Sequence, residues 1–294
     1  MRDTTPRFKN KNVFLVETSC SRRPAHRAWC SVESWARQNP NLDVWFILTS
    51  LSADISDGML KTLLNSYPNL HIAGVNLDQI FEGTPLQKLF NSRLWTSRET
   101  WPVELLSDML RVLLLWHWGG FYSDNDVVST RPMDLSGNMV GFESNDGMVG
   151  SAFLSFTDHH QVLWRLMEDM ELNFQPQKWG CIGPKAITRV MEKVCQVLQL
   201  RHLVEHTPLS CHNITLFPVN YFYPIHYHRS DVYLEEGNGR NFAEEFQSSY
   251  LLHFWNKLTK KQHVSVGSDS IYEVAARSFC PLTFLRVTLN SSNF

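Results

Sequence analysis

Three apolar runs separated by two segments of helical spacing open this chain, and that alternation restricts its fold more than any other feature. The runs are 12–17 (N-V-F-L-V-E), 43–49 (D-V-W-F-I-L-T) and 70–75. Runs of this length, rich in β-branched and aromatic residues, predict strands. Between them, residues 26–37 carry Trp29, Val32, Trp35 and Ala36 near one helical face. Residues 57–66 form a second helical segment, stopped at Tyr67-Pro68. Strand–helix–strand–helix–strand is the rhythm of a parallel α/β sheet flanked by helices. Ligands bind such sheets at the carboxyl ends of the strands, which places Thr18 and Ser19 at a ligand-binding edge.

The rest of the chain continues the pattern. A polar and aromatic connection at 82–100 contains Trp95. A helix is predicted over 102–118, with Pro102 at its first position and Gly119-Gly120 as its stop. Strands are expected at 121–128, 139–142, 151–156 and 250–255, and helices at 159–173 and 184–198. No repeat, low-complexity run or flexible linker interrupts the 294 residues, so one catalytic-size domain is expected. An apolar content of 43% with 19% charged residues excludes a disordered or fibrous chain. A formal charge of −2 gives no electrostatic case for nucleic acid as a partner. No apolar run reaches the roughly 18–20 residues that span a bilayer. The N-terminal tail, 1–11, is polar and basic and has no hydrophobic leader or anchor. Read literally, the chain is cytosolic; read as a fragment, it has lost a membrane anchor. The six cysteines include no C-x-x-C pair, which excludes a zinc ribbon or thioredoxin motif. An even cysteine count and the sequons at Asn213 and Asn290 favour a secretory lumen.

Chemistry concentrates in Gly119-Gly120-Phe121-Tyr122-Ser123-Asp124-Asn125-Asp126. On an extended segment residues two apart face the same side, so Asp124 and Asp126 are expected to share one site. Two hard carboxylates suit Mg²⁺ or Mn²⁺, whose remaining ligands can be diphosphate oxygens and water. A bare D-x-D also occurs in solvated turns. The preceding helix adds Asp108 and Arg111, three apart on one face, with Glu104 and Leu115 near the same stripe. They make either an exposed intrahelical ion pair or a hydroxyl- and phosphate-binding pair.

These residues carry a resemblance. F-L-V-E-T-S (14–19), C-S-V-E-S (30–34), L-S-D-M-L-R (106–111), W-G-G-F-Y-S-D-N-D (118–126), W-G-C-I-G-P (179–184), F-Y-P-I (222–225) and H-F-W-N-K (253–257) stand in order. The chain, from about residue 13 to 281, resembles the α-1,4-glycosyltransferase family, of glycosyltransferase family 32 type, which holds lactosylceramide galactosyltransferases and α-1,4-N-acetylglucosaminyltransferases. The resemblance implies a GT-A-like, Rossmann-type central sheet flanked by helices. It implies a UDP-sugar donor, Mn²⁺ (with Mg²⁺ as the alternative), retention of anomeric configuration, and a Golgi lumenal domain behind a membrane anchor. Residues 12–130 would hold the nucleotide sugar and 131–294 the acceptor side. By position, Asp124 and Asp126 would serve the metal and donor, with His253 as third ligand. Asp108 and Arg111 would hold the donor sugar, and Glu17, Thr18 and Ser19 would border the nucleotide. Trp255 and Asn256 would lie beside the metal. Trp179 and Trp255 would stack on sugar rings, whereas Trp95 is expected in the core. The transferred sugar would be galactose, or N-acetylgalactosamine or N-acetylglucosamine, and the acceptor a terminal galactoside of a glycolipid or glycoprotein, foremost a glycosphingolipid.

The chain also departs from the family. The middle residue of D-x-D is Asn125 rather than threonine. The family's N-G-x-F reads Gly150-Ser151-Ala152-Phe153, and Ile182 stands where W-G-x-(Q/N)-G-P has an amide. Lost amides that touch sugar would make a catalytically weakened, sugar-binding relative, the alternative function. Cys30, Cys195, Cys211 and Cys280 occupy family positions, whereas Cys20 and Cys181 are additional, and the pairing stays open. His226-Tyr227-His228 imitates a metal pair without a third ligand in sequence context. Asp124-Asn125-Asp126-Val127-Val128 also fits a phosphohydrolase string. Its position after a Gly-Gly turn, more than a hundred residues in, argues against that class, which has its nucleophile on the first strand.

Overall fold

The computed structural model describes residue 6, residues 11–50, residue 54 and residues 58–97, 99–289 and 291–294. Most of the tail 1–11, Asp57 and the sequon residue Asn290 therefore lie outside the described residues. β1 (Asn12–Glu17), β2 (Asp43–Leu48) and β3 (Leu70–Gly74) run parallel as adjacent strands. β4 (Gly120–Ser123) adds parallel to the free side of β1, with Phe14 opposite Tyr122. β5 (Val127–Ser129) turns out of this sheet. β6 (Asn138–Phe142) and β7 (Val149–Phe156) form an antiparallel hairpin whose second strand inserts beside β4. β8 (Leu209–Cys211) and β9 (Ile214–Phe217) finish the far edge, giving the order β3-β2-β1-β4-β7-β6-β9-β8. β10 (Leu251–His253) pairs antiparallel with β5 as a separate ribbon.

The central sheet is buried on both faces, which is why its strands read as continuous apolar runs. Phe14 and Val16 of β1 pack with Leu106, Met109, Leu110 and Leu113 of the Pro102–Trp118 helix. Val13 and Leu15 point the other way, onto Trp29, Val32 and Trp35 of the His26–Gln38 helix. Burying each such side chain contributes about 1.5–3 kcal/mol, so register is strongly specified. A third cluster underlies the ribbon, from Val128 and Leu252 to Phe254, Tyr272 and Phe284. The Cys30–Cys280 disulfide ties this cluster to the first helix, and Cys195–Cys211 ties the Pro184–Cys195 helix to β8. Glu33, fully buried, accepts the backbone N–H groups of Leu282 and Thr283 at 2.9 and 2.7 Å, at the start of the Pro281–Thr288 helix. A carboxylate there is favoured by the unpaired N–H groups of a helix N-terminus.

Several expectations need correction. The strand predicted over 121–128 is two strands in two different sheets, with Asp124-Asn125-Asp126 as the turn between them. The connection 82–100 contains a helix, Leu86–Ser92. The helix expected to reach 198 ends at Cys195, where Gln196 takes a left-handed φ of 56°. The last strand shortens to Leu251–His253. Among the described residues no helix is long and apolar enough to cross a membrane.

Candidate active site

The site lies where β1 and β4 end side by side. Asp124 still belongs to the ladder, its N–H bonded to Ala152 O at 2.8 Å. Its side chain therefore shares a face with that of Tyr122, two residues earlier. The Tyr122 hydroxyl donates to Asp124 Oδ1 at 2.7 Å and lies 3.0 Å from Ser107 Oγ. Arg111 reaches the same oxygen, with Nη1 at 3.2 Å, and lies over the Tyr122 ring at 4.7 Å. Its other contacts are Asp108 Oδ1 at 2.9 Å and the backbone oxygen of Ser151 at 2.6 Å. Arg111 is only 5% exposed, so the pair with Asp108 is a buried network spanning helix and sheet, not a surface pair.

The chain then turns. The amide of Asn125 donates to Val16 O at 2.9 Å, with Glu17 Oε2 at 3.5 Å, and so fastens the turn to the end of β1. Beyond it, Asp126 is stitched to the end of β10. Its backbone oxygen accepts Phe254 N–H at 3.0 Å, and Oδ2 accepts Asn256 N–H at 2.7 Å. Oδ1 lies 3.2 Å from His253 Nε2. Trp255 makes the return possible with a left-handed φ of 52°, an uncommon conformation for a bulky residue. Its indole N–H donates to Ile225 O at 2.8 Å. Asp124, Asp126 and His253 thus converge, each offering a ligand atom within 4.8 Å of the others. The two aspartates meet through a turn, not through strand alternation.

Electrostatics favours a cation here. Asp108, Asp124, Asp126, Glu104 and Glu143 crowd the site against Arg111, Lys257 and His253. Burial opposes charge on Arg111, but Asp124, Tyr122 and Asp108 outweigh it and hold the guanidinium protonated. Burial pushes the Asp108 carboxyl up to about 6, with Arg111 pulling it down and Asp124 and Glu104 adding to the rise. Asp126 is held below the usual carboxylate range: burial works against its charge, and His253 with the Asn256 N–H outweighs that. The same charge pair raises His253 against its burial. Two buried polar atoms, His253 Nδ1 and Asn256 Oδ1, have no partner. Two carboxylates with an imidazole and unmet polar atoms fit a divalent ion. Second contacts to Asp124 and Asp126 would orient them as ligands.

The other expected residues distribute unevenly. Thr18 is buried and its hydroxyl donates to Val103 O at 2.8 Å, so that side chain braces the helix start instead of facing the edge. Glu17 accepts the Ser19 N–H at 2.8 Å, and Ser19 is exposed. Trp179, 47% exposed, stands edge-on to Trp101 at 5.0 Å, with Lys257 Nζ 5.3 Å from its ring centre. Lys257 also pairs with Glu104, linking the loop after β10 to the helix start. Trp95 lies in the core, 5% exposed. Ile182 is packed in the core as well. Glu143 is a site residue that sequence reasoning did not name; Tyr122, Tyr223 and Lys257 stood in its motifs without a role, and Asn125 was read only as a departure from the family. Tyr122 was open to detection through its two-residue spacing from Asp124.

Gly150 has a specific tenant. A Cβ there would fall 2.3 Å from Tyr223 Cζ and 2.5 Å from its hydroxyl. The phenol occupies the space in which the family's asparagine would begin. Gly150→Asn is expected to cost about 1–3 kcal/mol through overpacking. In a Tyr223→Ala background the cost should largely vanish, a coupling that thermal or urea unfolding reads directly. An unchanged melting temperature in the single variant would refute the steric reasoning.

Comparison with known proteins matches this geometry to a family. Residues 25–145 match the glycosyltransferase sugar-binding region containing DXD motif, and residues 155–287 the Alpha 1,4-glycosyltransferase conserved region. Lactosylceramide 4-alpha-galactosyltransferase of Rattus norvegicus is 30% identical over 283 residues, 95% of this chain and 76% of the relative. The Mus musculus protein of that name is 31% identical over 278 residues, covering 92% and 75%. Alpha-1,4-N-acetylglucosaminyltransferase of Homo sapiens is 29% identical over 284 residues, covering 93% and 80%. The solved structure of PaToxG Glycosyltransferase superposes with a TM-score of 0.50 at 16% identity, over 63% of this chain and 69% of that one, a likeness of fold alone. Asp124 and Asp126 fall in the first matched region and His253 in the second; the chain belongs to the α-1,4-glycosyltransferase family and is a hexosyltransferase of GT-A fold.

Proposed function

We propose that this enzyme moves galactose, or N-acetylgalactosamine or N-acetylglucosamine, from a UDP-sugar to a terminal galactoside, foremost of a glycosphingolipid, with retention and α-1,4 linkage. The observation that carries this is the convergence of Asp124, Asp126 and His253 at the carboxyl edge of the sheet, in a family whose relatives are named for galactosyl transfer to lactosylceramide and for N-acetylglucosaminyl transfer. Asp124, Asp126 and His253 would hold Mn²⁺, with Mg²⁺ the alternative. When bound there, the ion neutralises charge growing on the leaving diphosphate. Arg111 and Asp108 hold the donor sugar, Arg111 kept cationic by its buried carboxylates. Glu17 and Ser19 border the nucleotide, with Thr18 fixing that edge from beneath. Trp255 and Trp179 give flat apolar faces to sugar rings, and Asn256 anchors Asp126. Residues 12–130 supply most of the donor side, and 131–294 the acceptor side plus His253.

Retention requires the acceptor oxygen to reach C1 from the face that the diphosphate leaves. The C1–O bond to diphosphate breaks, the C1–O bond to the acceptor forms, and the acceptor proton passes to the departing phosphate oxygen. Residence at the Golgi membrane, facing the lumen, belongs to the same proposal. The two disulfides and the exposed Asn213 suit an oxidising, glycosylating compartment.

A UDP-sugar panel with Mn²⁺ and a β-galactoside acceptor, read by mass spectrometry, tests this. One hexose added per acceptor, in an α-linkage and abolished by EDTA, is the expected outcome. UDP-sugar binding with neither transfer nor donor hydrolysis would instead favour a sugar-binding protein without turnover.

A further inference from the structure

One buried carboxyl beside the metal cluster has no part in the chemistry above. Glu143 follows β6, its N–H bonded to Met148 O at 2.9 Å where the hairpin turns toward β7. The residue is 8% exposed, and among the described residues its carboxyl has neither hydrogen bond nor ion pair. Buried carboxylates ordinarily have donors around them, so this one lacks something. Its oxygens are not among the sealed polar atoms, so the remaining exposure leaves them reachable. Burial pushes its carboxyl up to about 7, with His253 pulling it down and Asp146 adding to the rise.

Its surroundings point toward the donor. Glu143 is the leading charged influence on Tyr223, which also feels Asp124 and Arg111. The Tyr223 oxygen accepts Phe153 N–H at 3.0 Å, and its ring stands edge-on to His253 at 5.8 Å. Arg111 is anchored on the same hairpin, through Ser151 O at 2.6 Å. Glu143 thus sits at the end of the hairpin that also anchors Arg111, a residue in contact with Asp124 of the cluster. A hexose hydroxyl is the small, uncharged donor that an unpaired, reachable carboxylate there would take.

We infer that Glu143 is a specificity-determining residue that accepts a hydrogen bond from a hydroxyl of the transferred hexose. The inference rests on the nucleotide-sugar function proposed above and assigns one part of its donor site.

Calorimetric titration of wild type, Glu143→Gln and Glu143→Ala with UDP, UDP-galactose, UDP-N-acetylgalactosamine and UDP-N-acetylglucosamine, all with Mn²⁺, tests it. In Glu143→Ala, affinity for the preferred UDP-hexose should fall at least about tenfold, the worth of one hydrogen bond to a charged group. Affinity for UDP itself should stay within about threefold, below the size of one such bond. Glu143→Gln keeps the shape of the side chain and should melt close to the wild type, which separates a loss of binding from a loss of folding. Unchanged UDP-hexose affinity overturns the inference, as does an equal loss for UDP. A defect confined to the acceptor KM overturns it too. If wild type binds UDP and Mn²⁺ but no UDP-hexose more tightly than UDP, the inference alone fails. If wild type binds no UDP at all, the nucleotide-sugar function fails and takes the inference with it.

Discussion

Asp126→Asn is expected to lower kcat/KM for glycosyl transfer at least about 10³-fold, about 4 kcal/mol of transition-state stabilisation. Asparagine keeps an oxygen to accept the Asn256 N–H, seen at 2.7 Å, so the loop after β10 should stay docked. What disappears is one negative charge at a site where Asp124, Asp126 and His253 gather. The His253 pKa, raised by Asp126 against burial, should fall in the variant. Imidazole titration by NMR checks that shift independently of activity. A melting temperature close to wild type with loss of both transfer and Mn²⁺ binding is the full expected pattern. Transfer within tenfold of wild type would remove Asp126 from the mechanism.

Arg111→Met should be the most destabilising substitution at the site. The guanidinium is 5% exposed and holds Asp108 and Asp124 apart while bonding Ser151 O. Removing it leaves two carboxylates facing each other in a buried place, a loss of about 3–5 kcal/mol. In a chain of this size that is a fall of about 5–8 °C in melting temperature. Lysine should restore only part, because one ammonium cannot span both carboxylates and the β7 carbonyl. The pH dependence has a definite sign. The Asp108 carboxyl already stands at about 6, above its unfolded value, so its ionisation costs native stability as pH rises through that window. Without Arg111 the carboxylates are harder still to ionise, so the gap to wild type should widen from pH 5 to pH 8. A gap that shrinks with rising pH would contradict this.

The central sheet was legible because β1, β2 and β3 are buried on both faces and carry their burial in sequence as unbroken apolar runs. The Pro102–Trp118 helix was legible from its proline start and glycine stop, and its observed bounds coincide with those expected. The strand at β10 was expected, but its pairing with β5 was not legible, since it joins residues over a hundred positions apart. The stretch 121–128 read as one strand although Ser123-Asp124-Asn125-Asp126 interrupts its apolar residues, because the partner that draws β5 away lies over a hundred positions distant. Asp108 and Arg111 were legible as a pair, but helical spacing cannot distinguish a solvated pair from one sealed under β4 and β7. The D-x-D spacing singled out two aspartates that do converge, but a turn and the Asn125 amide bring them together and not strand alternation. Glu143 sat in a polar stretch that reads as a loop, and nothing local marks its burial.

Mn²⁺ binding by electron paramagnetic resonance, measured with and without UDP on wild type and on the Asp124→Ala/Asp126→Ala double variant, probes the assembled cluster most directly. Wild type should take up one Mn²⁺ per chain, more tightly when UDP is present, and the double variant should leave the ion free in solution. Equal Mn²⁺ uptake by the double variant, or UDP binding unaffected by EDTA, would contradict the assignment of these residues.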